Sequence, residues 1–437
     1  MIIVEFAVVL AAIFLGARLG GIAIGFAGGL GVLALALLGE TPGDLPLGVI
    51  SIIMSVIAAV ATMQVAGGMD YLVDLADRIL RKKPKYLNFL APMITYLMTF
   101  MAGTGHTAFS TMPVIVELAK ENNIRPSRPL SVAVVASQIA ITASPVSAAV
   151  VLLASLLEPK GVDYLELLAV AIPSTFIACM LTATIMMAID KVRGVAELST
   201  HPEFQKRTAA GIVSVKSQEQ RTILPRAKAS VLIFFVGLLA VMAYATAISD
   251  KVGLIENPVM ERDAAIITFM LSIAAIIVLV CKVPANDILS ASTFKSGMSA
   301  SICVLGVAWL GTTFVNAHMA DITDFAGDLL SDQPWMLAVV LFFASALLYS
   351  QAATTQALLP TALAIGVAPL AAVAAFPAVS ALFVLPTYPT LLAAVEMDDT
   401  GTTKIGKYVF NHPFLVPGAI NISLAVGLGF LFGSVIL

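Results

Sequence analysis

The chain has 437 residues, of which 59% are hydrophobic and 12% charged, with a mean hydropathy of +0.99 and a formal net charge of −3. A soluble domain carries about twice that share of charge, so a soluble protein is excluded; the net charge says nothing about nucleic acid, and the basic residues sit in loops. What remains is an all-α polytopic membrane protein. Apolar runs long enough to cross about 30 Å of hydrocarbon recur throughout, and the short alternating segments of a β-barrel do not.

In chain order, helices are predicted over residues 2–17, 21–39 and 47–66. The first has no basic region before it and reads as a retained helix rather than a signal peptide. Glu5 and Arg18, near its ends, are expected to reach the interface by snorkelling. The stretch 78–85 is strongly basic, and basic loops face the cytoplasm. Here Asp77 and Arg81 stand one helical turn apart and can pair. Residues 87–119 then leave the cytoplasmic side and return to it as a re-entrant hairpin. Residues 131–157 cross outward with an interruption at Ser144-Pro145, and 165–190 cross back. A linker, 191–228, holds eight Lys or Arg residues.

The second half repeats this order in the opposite sense. Helices at 229–248, 264–281 and 296–317 lead to an acid-rich outer loop, 319–332, with four aspartates and no Lys or Arg. A second hairpin spans 335–365, a helix broken at Pro386 and Pro389 spans 370–393, and 413–436 runs outward. Pro84, Pro113 and Pro145 are 29 and 32 residues apart, while Pro334, Pro360 and Pro389 are 26 and 29 apart. With the inverted charge pattern, this spacing predicts two inverted-topology repeats, 1–190 and 229–437, joined by the 191–228 linker. The expected count is about ten crossings plus two hairpins, with both termini outside.

Polar, helix-breaking sequence inside the apolar segments marks the candidate site. Gly103, Thr104, Gly105, His106 and Thr107 form the tip of the first hairpin, and Ser350, Gln351, Thr354 and Thr355 that of the second. Ser144, Pro145 and Ser147 interrupt one helix; Pro386, Thr387, Tyr388 and Thr390 interrupt the other. Irregular backbone at membrane depth is tolerated only against protein or beside a wet cavity, and paired broken helices are how secondary transporters build a binding site. Each break exposes a helix N-terminus, whose free N–H groups and positive dipole end suit an anion. The predicted core contains almost no Lys or Arg, so an anion would be held by amides, hydroxyls and dipoles.

His106 could donate to a carboxylate, carry a proton, or be a satisfied structural histidine. At the cytoplasmic mouth, Asp77, Arg81, Arg125 and Asp398 are candidates for a gate or for topogenic surface charge. Glu396, Asp398 and Asp399 could couple a cation or form a solvated loop. Cys179, Cys281 and Cys303 lack metal-ligand or disulfide spacing, and no cofactor or metal is expected.

The stretches Phe14–Ile22, Gln64–Gly68, Ala102–His106, Ile141–Ser147, Tyr349–Ala353, Leu385–Pro389 and Asp399–Thr403 resemble the anaerobic C4-dicarboxylate transporter (Dcu) family, and the run at 350–356 resembles its A type more than its B type. The resemblance implies a carrier for fumarate, succinate, malate and L-aspartate in the bacterial inner membrane. It would work by fumarate/succinate exchange or cation-coupled uptake. It also implies the ion-transporter-superfamily arrangement of hairpins and inverted repeats, with an elevator-like movement. The coupling cation, H+ or Na+, is left open, as are a homodimer and a role beside a sensor kinase. A carrier of another small organic anion on the same fold is the alternative. An intramembrane protease would need a nucleophile, a base and an orienting group, and His106 with Ser110 offers no third member.

Overall fold

A computed structural model describes every residue except 1, 20, 21, 46, 106, 195, 196, 214–222, 249–253, 256, 349, 386, 387 and 407–409. Within helices, it does not describe the side chains at 17, 24, 49, 245, 262, 296, 300, 304, 308, 315, 319–332 and 347. Among the described residues the regular structure is helical, with no strand.

The first half contains α1 (Ile2–Leu19), α2 (Ala23–Leu37), α3 (Leu47–Val65), α4 (Gly68–Lys82), α5 (Leu87–Ala102), α6 (Thr107–Glu121), α7 (Ser127–Ile139), α8 (Ala148–Leu157) and α9 (Tyr164–Val192). A short helix α10 (Pro202–Ala209) lies in the linker. The second half contains α11 (Ala227–Ala247), α12 (Arg262–Cys281), α13 (Ala285–Ser290), α14 (Ser292–Asp332), α15 (Met336–Leu348), α16 (Gln351–Ala364), α17 (Pro369–Ala375), α18 (Pro389–Met397) and α19 (Leu415–Ile436). Five helices among the described residues are long and apolar enough to cross a membrane, and α3 with α4 forms a further apolar pair bent by 66°. The span 263–281 has a mean hydropathy of 2.9, yet only 28% of its most apolar stretch is buried by protein. Leu271 and Leu279 lie exposed on that span, and Phe14 and Leu37 on the shorter apolar helices α1 and α2. Apolar faces of this extent need lipid to cover them, so the chain is a multi-pass membrane protein.

The helices pack as two groups. One gathers α1, α2 and α3 with α11, α12 and α14; the other gathers α5–α9 with α15–α19. The two meet where α16 lies against α14 and α8 lies against α3. In the first group α2 crosses α14 with backbone against backbone. A Cβ added at Gly306 would sit 1.9 Å from the Gly25 carbonyl oxygen, and one at Gly28 would sit 2.4 Å from Gly306. Without a hydrophobic drive between helices in lipid, such close approach is a main source of association. Gly306→Ala is therefore expected to cost about 1–3 kcal/mol through overpacking. Gly29→Ala, with open space around its Cβ position, should be neutral or slightly stabilising through helix propensity. Thermal midpoints of the two purified variants check this, and equal midpoints would refute the close crossing.

Three expectations need correction. Glu5 does not snorkel: it is fully buried, with Oε2 2.5 Å from Nε2 of His318, because α14 brings the histidine against α1. Residues 319–332 are not a loop, since α14 continues through a kink at His318 (φ −124°, ψ 23°) to Asp332. The linker is not a bare basic loop either. Its α10 docks beside the 398–403 turn, where Arg207 donates to the Asp399 carbonyl at 3.3 Å. Of the cysteines, Cys179 and Cys303 are buried as small apolar groups and Cys281 is half-buried.

Candidate functional site

Hairpin 1 turns at Gly103, whose φ of +66° caps α5 while its N–H donates to Thr99. Thr99 pairs with Thr107 at 2.7 Å and Thr95 with Thr111 at 3.3 Å, so the hydroxyls zip α5 to α6. Thr107 is thus a buried strut of the hairpin. In break 1, α7 tightens into a 3-10 turn (Ala140–Thr142), a further turn closes from Ser147 N–H to the Ser144 carbonyl, and the chain is extended at Ser147. Ser144 is buried and donates to the Phe100 carbonyl at 2.6 Å, fastening the break to hairpin 1. The Pro145 carbonyl accepts from Tyr164, and Ser147 caps α8 by accepting from Val150 N at 3.2 Å. A proline and two hydroxyls therefore supply what the lost helical bonds would have supplied.

The second half uses the same devices on different residues. Ser350 caps α16, accepting from Ala353 N at 3.2 Å, while Thr354 and Thr355 donate back to the carbonyls of Ser350 and Gln351 at 2.7 Å. Ser345 on α15 donates to the Ala378 carbonyl at 3.0 Å and accepts from Ala381 N at 3.2 Å, fastening hairpin 2 to the irregular segment Phe376–Phe383. Tyr388 stands at the N-cap of α18, with Pro389 in the first turn. His106, Pro386 and Thr387 lie outside the described residues.

The halves interlock at Gln138, which is 1% exposed. Its carbonyl accepts from Gln351 Nε2 at 3.2 Å and from Ser380 Oγ at 3.1 Å, and its own Nε2 lies 3.5 Å from Thr390 Oγ1. One buried backbone oxygen thus receives both the second hairpin tip and the second broken helix. Sequence reasoning missed Gln138, although an amide inside the apolar run before Ser144 was the available signal.

Beside this interlock lies a cavity of about 170 Å³. Gly103, Thr104 and Gly105 line it from tip 1, Val146, Ala148 and Ala149 from break 1, Ser350, Gln351 and Ala352 from tip 2, and Tyr388 from break 2. The opposite wall is Ile53, Val56, Ile57 and Val60 of α3 with Thr293 and Gly297 of α14, none of them foreseen. No charged side chain is among the described residues lining it. The N-termini of α8 and α16 line this space, and Gly105 and Tyr388, just ahead of α6 and α18, border it. The first-turn N–H groups of Ala148, Ala149, Gln351 and Ala352 have no acceptor inside their own helices. Of the predicted residues, Gly103, Thr104, Gly105, Ser350, Gln351 and Tyr388 come together here. Thr107, Ser144, Pro145, Ser147, Thr354, Thr355 and Thr390 instead brace the backbone around it.

The proposed mouth residues sit elsewhere. Arg81 contacts Asp77 at 2.9 Å, Glu117 at 3.2 Å and Glu121 at 3.5 Å, tying α4 to α6. Asp398 is buried and accepts from Thr400, Thr402 and Thr403, so it folds its own turn, while Asp399 pairs with Lys120 at 3.0 Å. Arg125 has a buried Nε without a protein partner. His201, in the linker, is pushed below its ordinary value of 6.5 by burial and then by Arg125 and Lys404, against the opposite pull of Glu203 and Asp398. A lowered base takes up its proton more readily when undocked than docked. Docking is therefore at full strength above about pH 6.5 and weakens as pH falls toward the lowered value. Limited proteolysis at α10, normalised to an unstructured peptide, should accelerate on acidification, and His201→Gln should remove that dependence.

Helices that break in pairs around a polar-tipped cavity with no charged side chain among its described lining define a membrane transporter. The family described as "Anaerobic c4-dicarboxylate membrane transporter" matches residues 1–437, and the chain belongs to it. Proteins named C4-dicarboxylate transporter DcuA are 62% identical in Wolinella succinogenes and 55% identical in Escherichia coli K12, each with full coverage of both chains. The anaerobic C4-dicarboxylate transporter DcuB of Escherichia coli O6:H1 is 36% identical, over 99% of this chain and 98% of its own. Two solved transporters share the fold. They are the YdaH transporter of Alcanivorax borkumensis (TM-score 0.55, 14% identity, 88% of this chain and 84% of that one) and MtrF of Neisseria gonorrhoeae (TM-score 0.60, 12% identity, 97% of both).

Proposed function

We propose that the protein carries C4-dicarboxylates such as fumarate, succinate, malate and L-aspartate across the bacterial inner membrane, by exchange or by cation-coupled uptake. The observation that carries this reading is the meeting of helix N-termini from both halves, α8 and α16, at a cavity with no charged side chain among its described lining. Each N-terminus is worth about half an elementary charge, so the two that line the cavity offset on the order of one negative charge, and the nearby ends of α6 and α18 add to it. A dianion with a carboxylate at each end meets donors from the first half at one side and from the second half at the other. The neutral wall of α3 and α14 excludes water without offering a salt bridge that would hold the cargo too long.

The same packing supports two inverted repeats, 1–190 and 229–437, and an elevator-like movement. Hairpins and broken helices are fastened to one another by Ser144, Ser345, Ser380 and Gln351, so they would travel as one body. The group built on α1–α3 and α11–α14 would serve as the frame, with the cavity riding along its wall.

Counterflow in proteoliposomes tests the reading. With unlabelled succinate inside, labelled fumarate and L-aspartate should enter rapidly, and citrate should not compete. Entry that ignores internal dicarboxylate but needs a Na+ or proton gradient would assign uptake instead. Competition by citrate, or no entry by folded protein under either condition, would reject a C4-dicarboxylate cargo.

A further inference from the structure

We propose that a second cavity, between the N-termini of α7 and α19, is a binding site for a phosphate group. Its volume is about 310 Å³, and it shares no lining residue with the central cavity. Gln138 and Ser127 lie near opposite ends of α7, whose thirteen residues span about 20 Å. The site is therefore well removed from the interlock.

Ser127, Arg128, Arg193, Lys404, Asn411 and His412 supply its polar lining. Arg128 is committed to Asp190, with Nε 2.6 Å from Oδ2. Among the described residues, Arg193 and Lys404 have no ion-pair partner. Two positive charges without an ion pair among the described residues thus stand beside the N-termini of helices of 13 and 22 residues, with Glu203 the carboxylate in the field of Lys404, an arrangement that still favours an anion.

His412 points to the ligand chemistry. It is 8% exposed, its ring packs beside Phe414 with centroids 5.9 Å apart, and its Nε2 lies 3.3 Å from the Val384 carbonyl. That contact places the proton on Nε2, which leaves Nδ1 as a buried lone pair without a protein partner. Buried polar atoms without partners call for a ligand or water. A monoprotonated phosphate can donate its P–O–H to Nδ1 while its charged oxygens face Arg193 and Lys404. A phosphodiester has no such proton and would instead bind with the imidazole protonated. The remaining wall, Met186, Ile189 and Val416, is apolar, so a lipid headgroup and a free phosphate ion both suit the site. Because α7 and α9 come from the first half and 404–416 from the second, an occupant here would hold the two halves together.

The test uses the full-length chain purified in detergent. Thermal midpoints are followed against inorganic phosphate, and native mass spectrometry counts retained phosphatidylglycerol. The wild type is compared with Arg193→Gln/Lys404→Gln, His412→Gln, and Lys160→Gln as a control on another exposed loop. Binding of at least one of the two probes is expected to weaken about tenfold in the double variant and to be unchanged in Lys160→Gln. Dependence of phosphatidylglycerol retention on Arg193 and Lys404 would assign a lipid, and dependence of the phosphate-induced midpoint rise would assign the free ion. The site is refuted if the folded double variant binds both probes as the wild type does, if the wild type binds neither, or if Lys160→Gln is equally impaired. The double variant changes only exposed side chains, so its result stands even if His412→Gln does not fold.

Discussion

Gly103→Ala should abolish dicarboxylate counterflow, whereas Gly105→Ala, two residues away on the same tip, should fold normally and alter transport only modestly. Gly103 has a φ of +66°, and a Cβ there would lie 2.7 Å from the Val146 carbonyl oxygen. A left-handed non-glycine residue costs about 1–2 kcal/mol by itself. The clash adds to this, because its partner is backbone and cannot rotate away. Relief requires tip 1 to move off break 1, which would stretch the Ser144–Phe100 hydrogen bond and misplace the amides of Ala148 and Ala149. At Gly105 the nearest atom to an added Cβ is Ile141 Cδ1 at 3.5 Å, ordinary contact with a movable methyl. Initial rates in proteoliposomes, normalised to folded protein, distinguish the two. Equal rates would mean that the tip does not need its turn.

Gln351→Ala is the second large effect, with an expected fall in transport of at least about tenfold, equal to about 1.4 kcal/mol of lost interaction. The side chain lines the cavity and also donates to the Gln138 carbonyl across the two halves. Its removal takes away a first-turn group at the site and leaves that carbonyl with Ser380 alone. Gln351→Glu sharpens the test. The two are nearly the same size, yet the acid adds a negative charge to a space whose described lining has none. It should reduce binding of a dianion more than alanine does, while a neutral substrate analogue would not respond in that way. If Gln351→Glu transports as well as the wild type, Gln351 does not face the cargo.

The features legible in sequence were those written in neighbouring residues. Glycines, prolines and hydroxyls at 103–107, 144–147 and 350–355 locate the tips and breaks because each acts within a turn of its own position. The amphipathic pairing of Asp77 with Arg81 is visible for the same reason. Contacts made between distant segments were not legible. Glu5 looks like an interfacial acid until His318, 313 residues away, is placed against it. The cavity wall from Ile53, Thr293 and Gly297 has no local signature, since ordinary helix residues become a wall only by what they face. Aspartates at 321, 324, 328 and 332 suggested a loop, yet α14 carries on through them. Local composition is a weak guide where tertiary structure continues a helix. Gln138 falls between these cases: its amide was visible in the apolar run, but the role belongs to its carbonyl.

The absence of charge among the described residues lining the central cavity also bears on how the carrier responds to acidity. A site built around histidines changes its own charge with pH, and its activity curve reports the protein. A site built from peptide dipoles and hydroxyls keeps the same potential throughout. For transport by exchange, with the described lining alone setting the potential, the acid–base curve would then belong to the passenger, and exchanging one diacid for another with a different second ionisation should slide the curve along the pH axis by that difference.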